Sequence, residues 1–214
     1  MSEEYNTLEE TILDPLFPEL DHKLRSGYHV SMDDIRAYEF LLQAEPHLQT
    51  FYSGYRCRLV HGQEGYFYLL SEGELFGRHR LSAPEMLLGQ VLALMRMDPA
   101  YLKSSGRIPK DHVLSTLEMF VGQQRLTQRL APRSRGQDRE TDNRKIREEV
   151  DRALAGLARL GFVDKISDGT ELLPRKAIMR FVDPVRQAED IETALQRLAQ
   201  TGGVDIEEND ENGE

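Results

Sequence analysis

The side chains best suited to chemistry in this sequence are arginines. Arg125, Arg129, Arg133, Arg135 and Arg139 lie in a polar stretch between Gly122 and Asp142, and Arg144, Lys145, Arg147, Arg152 and Arg159 follow in a segment of helical periodicity. A guanidinium offers a planar fork of donors that matches a phosphate, so such a run points to contact with a nucleic-acid backbone. At about 100° per residue, Arg144, Arg152 and Arg159 fall opposite the apolar stripe Ile146, Val150, Leu154, Leu157 and Leu160. Lys165, Arg175, Lys176 and Arg180 would extend that surface. Glu148, Glu149 and Asp151 share the helix, as on a solvated face, and carboxylates on a reading helix repel phosphate. Contact with the backbone rather than with base edges is therefore expected.

Catalytic patterns are scarce. His22, His29, His47, His61, His79 and His112 form no close ligand pair, and Cys57 is the only cysteine, so zinc has little support. There is no phosphate-cradling Gly-rich loop with its Lys and no nucleophile elbow. No enzyme activity, cofactor or metal is expected. Cys57 reads as a small buried hydrophobe in a strand. A lone cysteine permits no internal disulfide, which suits a reducing cytoplasm.

The elements that would carry these residues repeat. An amphipathic helix ending near Tyr55 is followed by Arg58-Leu59-Val60, the turn His61 to Gly65, and Tyr66 to Leu70. A second helix, Arg144 to Leu160, is followed by Gly161-Phe162-Val163, the turn Ser167-Asp168-Gly169, and Thr170 to Leu173. A two-stranded ribbon needs a helix against its apolar face. Helix followed by hairpin is how a winged helix ends, so the expected fold is α+β, mostly helical, with two tandem winged-helix domains.

Between these lie further elements. Residues 1–13 read as a flexible acidic arm, and a helix fits Pro15 to Arg25. Ser31 is placed to cap the next helix, and Pro46 to open a third. Ser82-Ala83-Pro84-Glu85 is a capping box starting a helix to about Met97, with Met86, Leu87, Val91, Leu94 and Met95 as its apolar side. Another helix fits Pro109 to Phe120. Gly122 to Asp142 reads as a mobile loop. Domains are placed at 14–80 and 81–186, and 187–214 as a short helix with an acidic disordered tail. Tyr52, Tyr55, Tyr66, Phe67 and Tyr68 put rings on both faces of the first hairpin. That exceeds what one small core needs, so Tyr52, Tyr55, Tyr66 and Tyr68 are candidate partner-binding residues.

The net charge of -10 is unevenly distributed. Residues 189–214 contribute -8 and residues 1–14 contribute -5, which leaves +3 for the middle of the chain. A mildly basic body between acidic ends is compatible with DNA. No apolar run is long enough for a membrane span, and the acidic start is unlike a secretory signal.

Several blocks resemble a known family. Asp14-Pro15-Leu16-Phe17-Pro18-Glu19-Leu20-Asp21 with Leu24-Arg25-Ser26-Gly27 is similar to the N-terminal segment of the MukE family of bacterial condensin subunits. So are Arg58-Leu59-Val60 with Glu64 to Leu69, and Leu157 to Val163. The similarity spans about Leu13 to Arg186, and the chain's length favours the MksE branch of the family. The resemblance implies a non-enzymatic homodimer of tandem winged helices that binds a kleisin (MukF or MksF) and, through it, an SMC ATPase (MukB or MksB). It also implies non-specific contact with double-stranded DNA, at positions matching Arg144, Lys145, Arg147 and Arg152, in chromosome organisation and segregation or in plasmid defence. Such a protein is expected in the cytoplasm, associated with the nucleoid. A winged-helix transcription regulator is the alternative, and a protein scaffold without DNA contact is a third reading.

Overall fold

A computed structural model describes residues 5–73, 80–102, 105–122, 126, 130 and 139–182 of the chain. The first unit comprises α1 (Leu8–Leu13), α2 (Phe17–Arg25), β1 (Val30–Ser31), α3 (Ile35–Ser53), β2 (Cys57–Gly62) and β3 (Tyr66–Ser71). The second comprises α4 (Ala83–Met97), α5 (Pro99–Leu102), β4 (Ile108–Pro109), α6 (Lys110–Val121), α7 (Arg139–Arg159), β5 (Val163–Ile166), β6 (Glu171–Pro174) and a 3-10 turn, Lys176–Phe181. Each hairpin gains a two-residue third strand, giving antiparallel sheets ordered β1-β3-β2 and β4-β6-β5. This is the expected α+β architecture of two winged helices.

Local chemistry accounts for the element ends. The Ser82 hydroxyl accepts from the Glu85 amide while the Glu85 carboxylate reaches back to the Ser82 N–H, so the capping box is formed in full. Gly161 ends α7 with φ 78°, its N–H donating to Ala158 O and that of Phe162 to Leu157 O. An L side chain in this left-handed backbone would be strained, which is why glycine stands there.

Four local expectations are corrected. The N-terminal arm is not loose from residue 5 onward. The Thr7 hydroxyl caps α1, the Tyr5 hydroxyl donates to Asp14 at 2.6 Å, and the His47 ring nitrogen lies 2.9 Å from Tyr5 O. Ser31 is not a helix cap but part of β1; Asp34 caps α3, which runs through Pro46 without a break. Packing of Ala44 and Leu48, both fully buried on either side of Pro46, outweighs the one amide that proline lacks. The stretch from Gly122 to Asp142 is not simply a loop. Leu126 and Leu130 are helical and buried, and α7 begins at Arg139, five residues earlier than the apolar stripe suggests. Arg125, Arg129, Arg133 and Arg135 lie outside the described residues, as does the expected helix-and-tail segment 187–214.

The fourth correction concerns α4, which is buried on almost every side rather than along a stripe, from Met86 continuously to Ala93. A helix apolar all round belongs in the centre of a fold. α4 packs against α6, α7 and the 3-10 turn, and Gly89 sits so close to the Phe181 ring that a Cβ would lie 2.4 Å from it.

The first sheet has two inner faces. Cys57, Leu59 and Phe67 point into a core with Leu24, Leu41, Leu48 and Tyr52. Tyr66 and Tyr68, one residue out of phase, point into the other core, with Leu88, Leu92, Leu160 and Phe162 of the second unit. Period-two alternation thus gives one side of the wing to each unit.

Candidate nucleic-acid and partner surfaces

Helix α7 begins at Arg139 and carries Arg144, Lys145, Arg147, Arg152 and Arg159, whose surroundings differ. Ile146, Val150, Leu154 and Leu157 are buried, which turns Arg144, Arg152 and Arg159 to solvent. Arg144 Nε lies 3.8 Å from Glu148, and Arg152 is hydrogen-bonded to Glu149. Arg147 leans sideways to Asp111 of α6 at 3.5 Å. Lys145 is half-buried. From α6, Lys110 crosses to Asp151 at 2.7 Å. The helix holds six basic and five acidic side chains, so its face is laced with exchangeable ion pairs rather than uniformly positive. Exposed pairs of this kind are weak and screened by salt, so a phosphate can displace the carboxylates. Carboxylates also remain beside Arg144, Arg147 and Arg152, which suits loose backbone contact better than base reading.

The bases beyond the helix divide. Lys165 is exposed on β5. Arg175 and Arg180 are not on an outer surface; both are taken up where the two units meet. Arg175 is hydrogen-bonded to the Tyr28 hydroxyl and lies 3.7 Å from Asp164, and the Lys176 backbone N–H donates to Asp33 at 2.7 Å.

At the centre of this junction is His29, which the sequence marks only as part of a short extended piece. Its backbone N–H donates to Leu160 O at 2.8 Å, and its ring Nδ1 lies 3.1 Å from the same oxygen. Arg180 Nη1 is 2.7 Å from His29 Nε2. A guanidinium can only donate, so Nε2 accepts and the ring proton is assigned to Nδ1, directed at Leu160 O. The imidazole lies between Phe162 and Tyr68, with centroids 4.2 and 5.2 Å away. The Arg180 guanidinium lies 3.9 Å from the Tyr68 centroid. Gly161 is required again here, because a Cβ would meet His29 O at 2.5 Å. No sequence signal reveals this cluster, since His29 lies more than a hundred residues from Leu160, Phe162 and Arg180.

The junction also decides the aromatic candidates. Tyr66 and Tyr68 are only 6% and 7% exposed, and Tyr52 1%. The Tyr52 hydroxyl donates to Asp21 at 3.0 Å, and burial, with Asp21 beside it, pushes its ionisation far above the ordinary tyrosine range. These three are packing residues and not free anchors for a partner. The surplus of rings is real, but the surface that Tyr66 and Tyr68 cover belongs to the second unit of the same chain. Tyr55 alone is exposed, at 40%, with the Arg25 guanidinium 4.5 Å from its ring centre.

A cleft of about 460 Å³ is lined by Gln49, Ser53, Arg56, Cys57, Arg58 and Glu72. Burial raises the Cys57 thiol above its ordinary range, so this sulfur is poorly suited to nucleophilic work. Among the described residues no cluster of His, Cys, Asp and Glu could hold a metal, and no helix is long and apolar enough to cross a membrane.

The MukE-like family model matches residues 5–214. The chain is 36% identical over 196 residues to the chromosome partition protein MukE of Vibrio cholerae serotype O1, a match covering 91% of this chain and 84% of that protein. It is 32% identical to the chromosome partition protein MukE of Haemophilus ducreyi, over 89% of this chain and 81% of that one. It is 31% identical to that of Shigella flexneri, over 91% and 87%.

Proposed function

Because the chain belongs to the MukE-like family, we propose that it is a non-enzymatic accessory subunit of a bacterial SMC condensin, binding a kleisin as a homodimer and touching duplex DNA without sequence preference. The broader role, in chromosome partition, comes with the family. Through a kleisin of the MukF or MksF kind the subunit would reach an SMC ATPase of the MukB or MksB kind. The ATPase would supply the energy, and this chain would supply binding surfaces alone. Its place would be the cytoplasm, at the nucleoid. The folded units are taken as 14–80, with the α1 segment packed onto it, and 81–186.

The observation that carries the DNA part of this reading is the ion-paired face of α7. Arg144, Arg152 and Arg159 point outward there, Lys145 and Arg147 flank them, and acids pair with Arg144, Arg147 and Arg152. A transcription regulator would need a reading helix free of such carboxylates, because each one repels the phosphates that line the groove. The wing sandwiched between two cores supports the scaffold part. It would let the chain present its surfaces as one stiff body, which reduces the ordering cost of holding a long partner.

The test is capture of the tagged protein from cells at native abundance, followed by mass spectrometry. A kleisin and an SMC ATPase recovered together, and both missing when the kleisin gene is deleted, is the expected result. Recovery of neither refutes the reading.

A further inference from the structure

The sheet of the first unit has two edges, and among the described residues only one of them is covered. At the β1 edge, the His29 N–H is taken by Leu160 O, so the second unit closes that side. The other edge is β2. Its register with β3 pairs Arg58 with Leu70, Val60 with Tyr68 and Gly62 with Tyr66, and Glu72 N–H donates to Arg56 O. The exchanged hydrogen bonds therefore fall on the even-numbered residues. The N–H and C=O groups of Cys57, Leu59 and His61 point away from the sheet. Among the described residues no backbone group pairs with them.

One side chain does. The Gln49 amide of α3 donates to Leu59 O, in the place where the N–H of an added strand would sit. The cleft lined by Gln49, Ser53, Arg56, Cys57, Arg58 and Glu72 opens along this same edge. Its charged lining is two arginines against one carboxylate. Arg58 shares Glu72 at 3.2 Å, whereas Arg56 has no ion pair among the described residues. An open strand edge invites pairing, and a protein that leaves one uncovered usually has a use for it.

We propose that the β2 edge and its cleft take up an extended, acidic segment of the kleisin as an added strand, its backbone bonding to Cys57, Leu59 and His61 and its carboxylates meeting Arg56 and Arg58. This rests on the kleisin reading above. Gln49 acts as a placeholder that keeps Leu59 O satisfied until the strand arrives, then turns aside. An acidic sequence is required because Arg56 and Arg58 flank the first half of the strand. Backbone pairing provides the affinity, and the alternate side chains facing the cleft choose the segment.

Residue-resolved amide exchange by NMR on the full chain, with and without the co-encoded kleisin, tests this. Binding should slow exchange at the Cys57, Leu59 and His61 amides by about tenfold or more, each tenfold corresponding to about 1.4 kcal/mol of added protection. Two variants accompany the measurement: Ser53→Trp, which fills the cleft from an exposed helix end, and the pair Arg56→Glu with Arg58→Glu. Both should weaken kleisin binding about tenfold or more while leaving the thermal midpoint near that of the parent. If the kleisin binds and these three amides exchange as before, the site is refuted while the kleisin reading stands. If no kleisin binds the parent protein, both fall. If the amides are already slow in the free protein and become fast on truncation after Gly203, the chain's own acidic tail is the occupant and the proposal is overturned.

Discussion

Replacing Tyr68 with Ala should loosen the joint between the two units rather than the grip on a partner. The ring is 7% exposed, stacks on His29 and lies under Arg180 at 3.9 Å. Truncating a buried ring of this size costs about 3–5 kcal/mol, which combines the transfer free energy of the ring with the cavity left behind. For a chain of about two hundred residues that lowers the thermal midpoint by roughly 6–20 °C. Arg180→Ala alone removes one guanidinium from both the ring and His29 Nε2, and about 1–3 kcal/mol is expected. Because both changes dissolve the same interaction, the double variant should fall short of their sum by about 0.5–2 kcal/mol. Urea and thermal unfolding followed by circular dichroism give all four corners of the cycle. A Tyr68→Ala protein within about 0.5 kcal/mol of the parent would refute this assignment, because changes at free surface sites usually stay within that range. Strict additivity of the two changes would refute the coupling.

Gly161→Ala should destabilise the chain by about 1–3 kcal/mol, since it combines a left-handed backbone with a close approach to His29 O; a neutral result by thermal unfolding would contradict the packing described. The Cys57 thiol is held above its ordinary range by burial. Its contribution to stability is therefore whole below the pH at which an unfolded thiol ionises and disappears as pH rises through the raised value. At about pH 8.5, near the free thiol value, iodoacetamide should modify the folded protein far more slowly than the urea-unfolded one, and equal rates would contradict the burial. Neutralising Arg144, Lys145 and Arg152 together should weaken binding to any duplex alike. The log–log salt dependence should flatten by up to about 2.7, which is about 0.9 for each phosphate that the variant no longer neutralises. An unchanged slope would leave α7 as a solvated face.

Local signals in the sequence were strong where the controlling interactions are themselves local. Alternation around Arg58 to Leu70 and the turn at Gly62 to Gly65 place the first hairpin, and the Ser82–Glu85 box starts α4 where it is found. The ring count on the first wing was also legible as an excess. Its meaning was not, because which surface covers Tyr66 and Tyr68 depends on the docking of a unit built from residues far along the chain. The same holds for Arg175 and Arg180, whose composition reads as basic surface until Tyr28 and His29 are brought against them. Pro46 failed as a boundary because propensity is a weak term beside the burial of Ala44 and Leu48. The acids on α7 were legible in the sequence, and their pairing with Arg144 and Arg152 follows from i, i+4 and i, i+3 spacing.

On the proposed function, this chain is a dimeric binding subunit that holds a kleisin. Light scattering coupled to size exclusion, first on the protein alone at micromolar concentration and then with the co-encoded kleisin, tests it most directly. The chain mass is 24.6 kDa, so the free protein should elute with twice that mass and shift wholly into a larger, stoichiometric complex when the kleisin is added. A free protein at the mass of one chain, unchanged by the kleisin, would contradict the account.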